Sequence, residues 1–280
     1  MEKKYIVVTG ASDGIGLAAA RKLHALNHNV IIVGRSAEKT EKAAAELGAP
    51  FHIADYSRLK DVVRLAEELK VYPRIDVLCN NAGGAQGERK TTEDGYEKTF
   101  QVNVLAEFLL TRLLVDKLCE SRATVVQTSS IASNLFGADL NVNDLQNEKN
   151  YSPFKAYGYS KLENVLFTRE LDRRYGEKGI NAVAFEPGVV RTNFASESVG
   201  FVKFCYHSPL KYLFTISPRK SAERLVRLAV GTAGEDFVRG EIYGKKKPMK
   251  LKFKDENGSA AHTLWEQCEK MVSPFLFAKS

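Results

Sequence analysis

Two side chains that could transfer a proton, Tyr157 and Lys161, stand four residues apart. They lie in a run from about Ala156 to Arg174 that predicts a helix, and positions i and i+4 of a helix share one face. A tyrosine alone keeps its proton up to a pH of about 10. A neighbouring ammonium favours the phenolate, so the pair could serve as an acid and base near neutral pH. Two half-exposed surface residues would show the same spacing, so the pair needs support from the rest of the chain.

Composition sets the outer limits. The chain has 280 residues, 44% of them hydrophobic and 27% charged, which is enough for one large buried core. No apolar run approaches the ~20 residues of a membrane-spanning helix, and a strand-like segment begins almost at the first residue. We therefore expect a cytoplasmic protein without a signal peptide. Four widely spaced cysteines with no C-x-x-C pair argue against a disulfide framework or a metal site.

The net charge is +7, and much of it comes from six lysines between residues 245 and 254. Such a run can bind nucleic acid or anionic lipid, but more often it is a solvated edge. No aromatic residues interleave with the lysines in the way that single-strand binding requires, so we expect no nucleic-acid partner.

Short apolar runs alternate with helical stretches along the chain. Strands are predicted at Tyr5–Thr9, Val30–Val33, Pro50–Ala54, Ile75–Cys79, Thr124–Thr128 and Ile180–Phe185. Helices are predicted at Leu17–Leu26, Lys39–Leu47, Leu59–Leu69, about Gly95–Cys119 and around Tyr157. Strands that are apolar throughout indicate a parallel sheet covered on both faces. We predict one doubly wound α/β Rossmann domain over residues 1–280, with a mostly parallel sheet of about seven strands.

The first strand ends in a glycine turn. Gly10, Gly14 and Gly16 stand between that strand and the first helix, where glycines allow a sharp turn and a close approach of backbone N–H groups to a pyrophosphate. The spacing differs from G-x-G-x-x-G, so the strand–turn–helix context carries the prediction of a dinucleotide site.

The end of the second strand bears on cofactor choice. An NAD site usually places Asp or Glu there to bind the ribose 2′-hydroxyl, but this chain has Gly34-Arg35. Arg35 can pair with a 2′-phosphate, so we predict a preference for NADP(H) over NAD(H). Asp13 in the glycine turn does not help a phosphate, and Arg35 could also be an ordinary surface residue.

Polar residues follow the third and fourth strands. Asp55-Tyr56 and Asn80-Asn81-Ala82-Gly83 stand at carboxyl ends of strands, where open α/β sheets bind ligands. The small residues Ala82 and Gly83 would let a ring or ribose lie against the backbone.

Together these residues resemble the short-chain dehydrogenase/reductase family. The matching marks, in the family's order, are Thr9-Gly10-Ala11-Ser12-Asp13-Gly14-Ile15-Gly16, Asn80–Gly83, Asn103, Ser129-Ser130, the Tyr157/Lys161 pair and Pro187-Gly188. Finer details look like the retinol dehydrogenase branch, notably residues 103–111, 166–171 and 187–192.

The resemblance implies a catalytic tetrad. Tyr157 would be the acid/base, and Lys161 would lower its pKa and hold the nicotinamide ribose. Ser130 rather than Ser129 would hydrogen-bond the substrate oxygen, and Asn103 would hold a water in a proton relay. Cofactor contacts are implied at Gly10, Ser12, Asp13, Gly14, Ile15, Gly16, Arg35, Asp55, Tyr56, Asn81, Ala82, Gly83, Asn103, Tyr157, Lys161, Pro187, Gly188, Val190 and Thr192. Residues 1–130 would mainly bind the dinucleotide, 131–192 would be catalytic and 193–218 would cover the substrate.

Three departures from the family stand out. Glu186 precedes Pro187-Gly188 where the family usually has Asn or His, so the contact near the nicotinamide would differ. The 27 residues from Ser130 to Tyr157 exceed the usual gap. The membrane-anchoring N-terminal segment of many retinol dehydrogenases is not present, which puts retinoid substrates in doubt.

Aromatic residues concentrate in the predicted substrate-covering segment, at Phe194, Phe201, Phe204, Tyr206, Tyr212 and Phe214. Their density suggests an apolar carbonyl or alcohol substrate. Local core packing is an alternative, and contact with a membrane surface together with the lysine run is a less favoured one.

The main hypothesis is an NADP(H)-dependent carbonyl reductase or alcohol oxidoreductase. The runner-up is a non-catalytic NADP(H)-sensing protein of the same fold, although binding alone would not require Ser130 and Tyr157. The family also implies a homodimer or homotetramer formed through the helices at about 95–119 and 155–175.

Overall fold

Seven strands form one parallel sheet in the order β3-β2-β1-β4-β5-β6-β7. The computed structural model describes residues 2–85, 87–149, 151–188 and 216–276. The strands are β1 Tyr5–Thr9, β2 Asn29–Gly34, β3 Phe51–Ile53, β4 Val77–Asn80, β5 Thr124–Thr128, β6 Asn181–Phe185 and β7 Ile242–Tyr243. The strand order reverses direction between β1 and β4, which confirms the predicted doubly wound fold and places a ligand crevice at the carboxyl ends of these two strands.

Helices cover both faces of the sheet. The described helices are α1 Gly14–Ala25, α2 Ala37–Leu47, α3 Leu59–Lys70, α4 Lys98–Phe100, α5 Ala106–Leu113, α6 Val115–Glu120, α7 Ala132–Leu135, α8 Pro153–Tyr175, α9 Pro218–Val230 and α10 Ser259–Leu276. Successive side chains of β1 enter different cores: Ile6 and Val8 pack with α1 and α9, and Val7 packs with α3, α5 and α8. Both cores are apolar, so the central residues of the longer strands, such as β1, β2 and β6, are apolar.

One predicted helix is interrupted. The run expected to be helical from Gly95 to Cys119 contains a π-helical turn at Gln101–Leu105 between α4 and α5. A π turn widens the backbone spiral by one residue and often marks a functional position. Asn103 lies in the middle of this turn.

The C-terminal helix α10 covers α5 and α8. Trp265 is 2% exposed, and its ring centroid lies 4.9 Å from that of Phe108 on α5 and 5.8 Å from that of Phe167 on α8. Arg112 of α5 forms an ion pair with Glu269 of α10 at 2.7 Å. Oligomers were predicted to form through the helices that contain α5 and α8. Helix α10 therefore occupies part of that surface within the same chain. None of the described helices is both long and apolar enough to cross a membrane.

Candidate active site

The glycine turn brings β1, α1 and the end of β4 into close contact. Gly10 and Gly14 have φ values of +65° and +59°, which are unfavourable for other residues. A Cβ at Gly16 would overlap the carbonyl oxygen of Gly10 and would lie 2.7 Å from Asn81 Nδ2. The Asp13 carboxylate caps α1 by accepting a hydrogen bond from Gly14 N at 2.7 Å. Glycines are therefore required where β1, α1 and the end of β4 approach each other most closely.

Thr9 ties this turn to the polar end of β4. Its hydroxyl donates to Cys79 O at 3.1 Å and accepts hydrogen bonds from Asn81 N and Ala82 N, each at 2.9 Å. Asn81 Nδ2 donates to Thr9 O at 2.8 Å. One buried hydroxyl thus fixes the backbone of the predicted cofactor contacts Asn81 and Ala82. The sequence signal for this role is the polar residue that ends an apolar strand.

At the end of β2, the Arg35 side chain is exposed and forms no ion pair with any described residue. Ser36 caps α2 by accepting from Lys39 N at 3.4 Å. The Lys39 ammonium lies 3.7 Å from the Asp13 carboxylate, at the surface. Arg35 is therefore an exposed cation at the end of β2, and Lys39 partly neutralises the Asp13 carboxylate.

Asp55 and Tyr56, which follow β3 closely, differ in their surroundings. The Asp55 carboxylate accepts hydrogen bonds from Ser57 N and Ser57 Oγ at 2.9 and 2.8 Å. The Tyr56 side chain is 5% exposed within the core. Burial, with a smaller contribution from Glu107, raises the pKa of Tyr56 well above its usual value. Only the backbone of Tyr56 is therefore available to a cofactor.

Lys161 and Tyr157 project from α8 into the same region. Lys161 is 3% exposed, and its Nζ donates to Thr128 O, at the end of β5, at 3.0 Å. The same Nζ lies 5.8 Å from the centroid of the Tyr157 ring. Burial lowers the pKa of Lys161, and the carboxylate of Glu107 partly opposes that change. The ammonium is thus held in place by the sheet, near the Tyr157 ring.

Asn103 links the π turn to the loop that follows β4 and to α8. Its Oδ1 accepts from Gly84 N at 2.9 Å, and its Nδ2 donates to Gly84 O and to Ser160 Oγ, each at 3.0 Å. Ser160 Oγ in turn donates to Tyr157 O at 2.8 Å. A Cβ at Gly83 would lie 2.9 Å from Asn103 Oδ1 and 3.5 Å from Lys161 Nζ. The tetrad positions Asn103, Tyr157 and Lys161 therefore meet beside Gly83.

The two neighbouring serines have different environments. Ser129 is 1% exposed, and its hydroxyl donates to Lys161 O at 2.6 Å. Ser130 is partly exposed, and its hydroxyl accepts a long hydrogen bond from Ala132 N at 3.2 Å. The Ser129 hydroxyl is committed to holding α8 against the sheet, whereas the Ser130 hydroxyl can still donate to a ligand.

The departure at Glu186 has a structural explanation. Its carboxylate accepts from Gly188 N at 2.6 Å and from Arg224 Nη1 of α9 at 2.8 Å, and the same nitrogen binds Glu186 O. Gly188 has a φ of +87°, and a Cβ there would lie 2.6 Å from Ile216 Cδ1. Ser221 Oγ donates to Pro187 O at 2.5 Å. The Glu186–Arg224 ion pair thus holds the turn after β6.

Some predicted positions fall outside the described residues. They include the cofactor contacts Val190 and Thr192 and all the aromatic residues from Phe194 to Phe214. The lysine run does lie among the described residues, where all six side chains are exposed and none forms an ion pair with another described residue. The free charges fit the solvated edge predicted for this segment.

An open parallel sheet with a glycine turn after β1 and a Tyr–Lys pair beside the β1–β4 crevice defines a Rossmann-type dehydrogenase. Residues 4–200 match the family model for short chain dehydrogenases, so the chain belongs to that family. It is 35% identical to a Streptomyces protein described as daunorubicin C-13 ketoreductase DnrU, over 94% of this chain and 90% of that protein. It is 34% identical to human retinol dehydrogenase 14, over 97% and 87% of the two chains. These relatives confirm the retinol dehydrogenase-like branch.

A solved structure of similar fold supports the same family. A protein described as a short chain dehydrogenase of Escherichia coli CFT073, complexed with NADPH, has a TM-score of 0.67 and 25% identity. The match covers 87% of this chain and 97% of that one. The chain is therefore a short-chain dehydrogenase/reductase, in an oxidoreductase family that uses NAD(P)(H).

Proposed function

We propose that this protein transfers a hydride between NADP(H) and the carbonyl or alcohol carbon of an apolar small molecule, with Tyr157 as the acid/base. The observation that carries the proposal is the buried Lys161 ammonium, 5.8 Å from the Tyr157 ring and beside Gly83 and Asn103. Burying an ammonium this deeply costs free energy of folding, and buried charges of this kind cluster at functional sites.

The residues of the crevice fit a dinucleotide. The positions of Gly10, Gly16 and Gly83 leave no room for a Cβ, so backbone can approach a pyrophosphate and a ribose closely. When bound, the nicotinamide supplies or accepts the hydride. Lys161 would hold the adjoining ribose hydroxyls.

The protein's own residues handle the proton and the developing charge. During reduction, Tyr157 donates its phenolic proton to the substrate oxygen, and Lys161 stabilises the phenolate that remains. Ser130 donates a hydrogen bond to the same oxygen, which stabilises charge in the transition state. Asn103 connects Lys161 to the proton supply.

The preference for NADP(H) depends on Arg35. Its exposed guanidinium, at a strand end without an acid, suits a 2′-phosphate, and the E. coli relative was solved with NADPH. Comparing kcat/KM for NADPH and NADH in the wild type and in Arg35→Ser tests this. We expect the wild type to favour NADPH and the variant to lose most of that preference. A wild-type preference for NADH would reject the assignment.

An apolar carbonyl or alcohol substrate is supported by the relatives, one named for the C-13 ketone of daunorubicin and others for retinol. Oxidation of NADPH against a panel of apolar ketones and aldehydes tests the activity, with Tyr157→Phe as control. Turnover by the wild type that the variant loses supports the proposal. Tight NADPH binding without turnover of any panel member would favour the non-catalytic alternative.

Location and assembly remain predictions of this proposal. A cytoplasmic location can be tested by cell fractionation. Oligomers formed through α5 and α8 would have to accommodate α10, which already packs on both helices through Trp265. Sedimentation of the purified chain would show whether it forms the predicted dimer or tetramer or stays a monomer.

A further inference from the structure

Three exposed apolar side chains lie together near the start of α8, and we call them the apolar patch. Leu135 and Phe136, where α7 ends, are 59% and 40% exposed, and Phe154 in the first turn of α8 is 41% exposed. The ring centroids of Phe136 and Phe154 lie 5.6 Å apart. Single exposed apolar residues are common on protein surfaces, but contiguous ones mark binding surfaces.

The apolar patch lies beside the candidate active site. Helix α7 directly follows the carboxyl end of β5, and Phe154 precedes Tyr157 by one turn of α8. A Cβ at Gly158 would lie 2.6 Å from Phe136 Cβ, so Phe136 packs against the backbone next to Tyr157. The patch therefore borders the place where Tyr157 would meet a substrate.

The lysine-rich segment 245–254 passes next to the apolar patch. The Asn134 side chain donates a hydrogen bond to Lys250 O at 2.9 Å and accepts one from Lys252 N at 2.8 Å. Asn134 directly precedes Leu135. The basic segment and the apolar patch therefore form one continuous surface.

The lysine-rich segment is held by its apolar residues and exposes its charges. Leu251 and Phe253 are partly buried and pack against the core that contains Trp265. All six lysines are exposed, and none forms an ion pair with another described residue. Asp255 and Glu256 follow the segment, so six lysines and two acids leave a net charge of +4 over residues 245–256.

This combination fits a partner with a negative surface and an apolar interior. An anionic lipid membrane attracts lysines near its headgroups, and aromatic and leucine side chains insert below them. Nucleic acid would contact the charges and leave the apolar patch in water. A second copy of the chain would bring the same positive charges against this surface in a two-fold contact, and these would repel each other.

We propose that the apolar patch and the lysine-rich segment form one docking surface for anionic lipid membranes. Docking would place the Tyr157 side of the crevice at the lipid surface, so an apolar alcohol or carbonyl compound dissolved in the bilayer would reach the site without crossing water. This consequence for the substrate rests on the proposed function. The docking itself does not require turnover.

Sedimentation of the full chain with lipid vesicles tests the docking surface. We expect binding to phosphatidylcholine vesicles that contain about 30% phosphatidylserine, because the lysines are attracted to the anionic headgroups. Binding should weaken at least about tenfold with pure phosphatidylcholine, and also in about 0.5 M NaCl, which screens the attraction. Equal binding to the two kinds of vesicle would overturn the proposal.

The triple variant Lys250→Gln/Lys252→Gln/Lys254→Gln tests the charges. It changes exposed side chains only, so the backbone groups that bind Asn134 remain. A lysine near an anionic surface strengthens binding about fivefold, so the variant should bind phosphatidylserine vesicles at least about tenfold more weakly. Wild-type affinity in this variant would overturn the proposal.

Lys3→Gln/Lys42→Gln/Lys270→Gln is the matched control. These three lysines are also exposed, and they lie before β1, on α2 and on α10. The control lowers the net charge by the same amount, and we expect it to bind as the wild type does. An equal loss in both triple variants would show general attraction of a basic protein and overturn the assigned surface.

Leu135→Ser/Phe154→Ser tests the apolar patch. We expect vesicle binding to fall at least about tenfold, because two side chains no longer enter the apolar layer. Leu26→Ser/Val71→Ser is the control, since these residues are 45% and 77% exposed away from the patch. Circular dichroism melting checks that both variants fold. Unchanged binding by Leu135→Ser/Phe154→Ser would overturn the role of the patch.

Sedimentation velocity without lipid distinguishes a membrane from a second copy of the chain. We expect Leu135→Ser/Phe154→Ser to keep the oligomeric state of the wild type. Self-association that this variant abolishes would assign the patch to a contact between copies and overturn the proposal. Vesicle binding by a chain that reduces no carbonyl compound would still support the docking surface, so the docking surface and the proposed function fail separately.

Discussion

Replacing Lys161 by methionine removes the charge but keeps the length of the side chain. We expect the fold to tolerate this change. Lys161 is 3% exposed, so methionine suits its surroundings, and Thr128 O keeps the hydrogen bond from Asn164 Nδ2 at 3.2 Å. The variant therefore isolates the electrostatic effect of the ammonium on Tyr157.

The size of that effect follows from the geometry. The ammonium lies 5.8 Å from the Tyr157 ring centroid. At this separation and an effective dielectric constant of about 20, it stabilises a phenolate by roughly 2.9 kcal/mol. That corresponds to about two pH units, since one unit is about 1.4 kcal/mol. Without the ammonium the phenol keeps its proton to higher pH.

The assay is alcohol oxidation as a function of pH, in which Tyr157 must accept a proton. We expect the pH of half-maximal kcat/KM to rise by about two units in Lys161→Met, with about a 100-fold loss at lower pH. Lys155→Met is the control, because Lys155 lies on the same helix but pairs with Asp139 at the surface. A profile in Lys161→Met that keeps its wild-type midpoint would refute the electrostatic role.

Three further predictions concern the turn, an ion-pair cluster and the C-terminal helix. Gly16→Ala would place a Cβ against the Gly10 carbonyl, so NADPH affinity measured by calorimetry should fall at least about tenfold. Burial would raise the pKa of Glu170, but hydrogen bonds from Arg173 and Arg174 bring it down to about 2. Glu170→Gln should therefore lose about 1–2 kcal/mol in urea unfolding at pH 7, and the difference should vanish as the pH falls from about 5 to 2. Trp265→Ala should cost about 3–5 kcal/mol in the same assay by leaving a cavity under α10.

Each of these three predictions would be contradicted by a specific outcome. Unchanged NADPH affinity in Gly16→Ala would mean that the turn does not approach the cofactor. A Glu170→Gln deficit that persists at pH 2 would reflect lost packing and not the ionised carboxylate. A Trp265→Ala loss below about 1 kcal/mol would show that α10 contributes little to the core over α5 and α8.

Much of the sheet could be predicted because its signals are local. Five-residue runs that are rich in β-branched residues and end in threonine, such as Tyr5–Thr9 and Thr124–Thr128, match the observed strands. The sequence patterns predict no particular element beyond residue 218, and the structure adds α9, β7 and α10 there. Strand β7 has only two residues, and the position of α10 depends on the contacts of Trp265 with Phe108 and Phe167, which are distant in the sequence, so neither has a strong local signal.

The candidate site was predictable where spacing carries the information. The spacing of four positions from Tyr157 to Lys161 fixes a shared face of α8, and the structure brings Asn103 beside them. The π turn that interrupts the helix at 95–119 could not be predicted, because the apolar pattern of that helix continues through the turn. The burial of Glu107 could not be predicted either, since a charged residue in a helix normally marks a solvent-facing position.

The most direct test of the account is the comparison of wild type and Tyr157→Phe with one carbonyl substrate at saturating NADPH. The substitution removes a single oxygen and leaves the hydrogen bond from Ser160 Oγ to the residue 157 carbonyl available. We predict that kcat/KM falls by about 10²–10⁴, the usual contribution of a general acid, while the NADPH dissociation constant changes less than about threefold. Reduction that continues at the wild-type rate would show that another group supplies the proton.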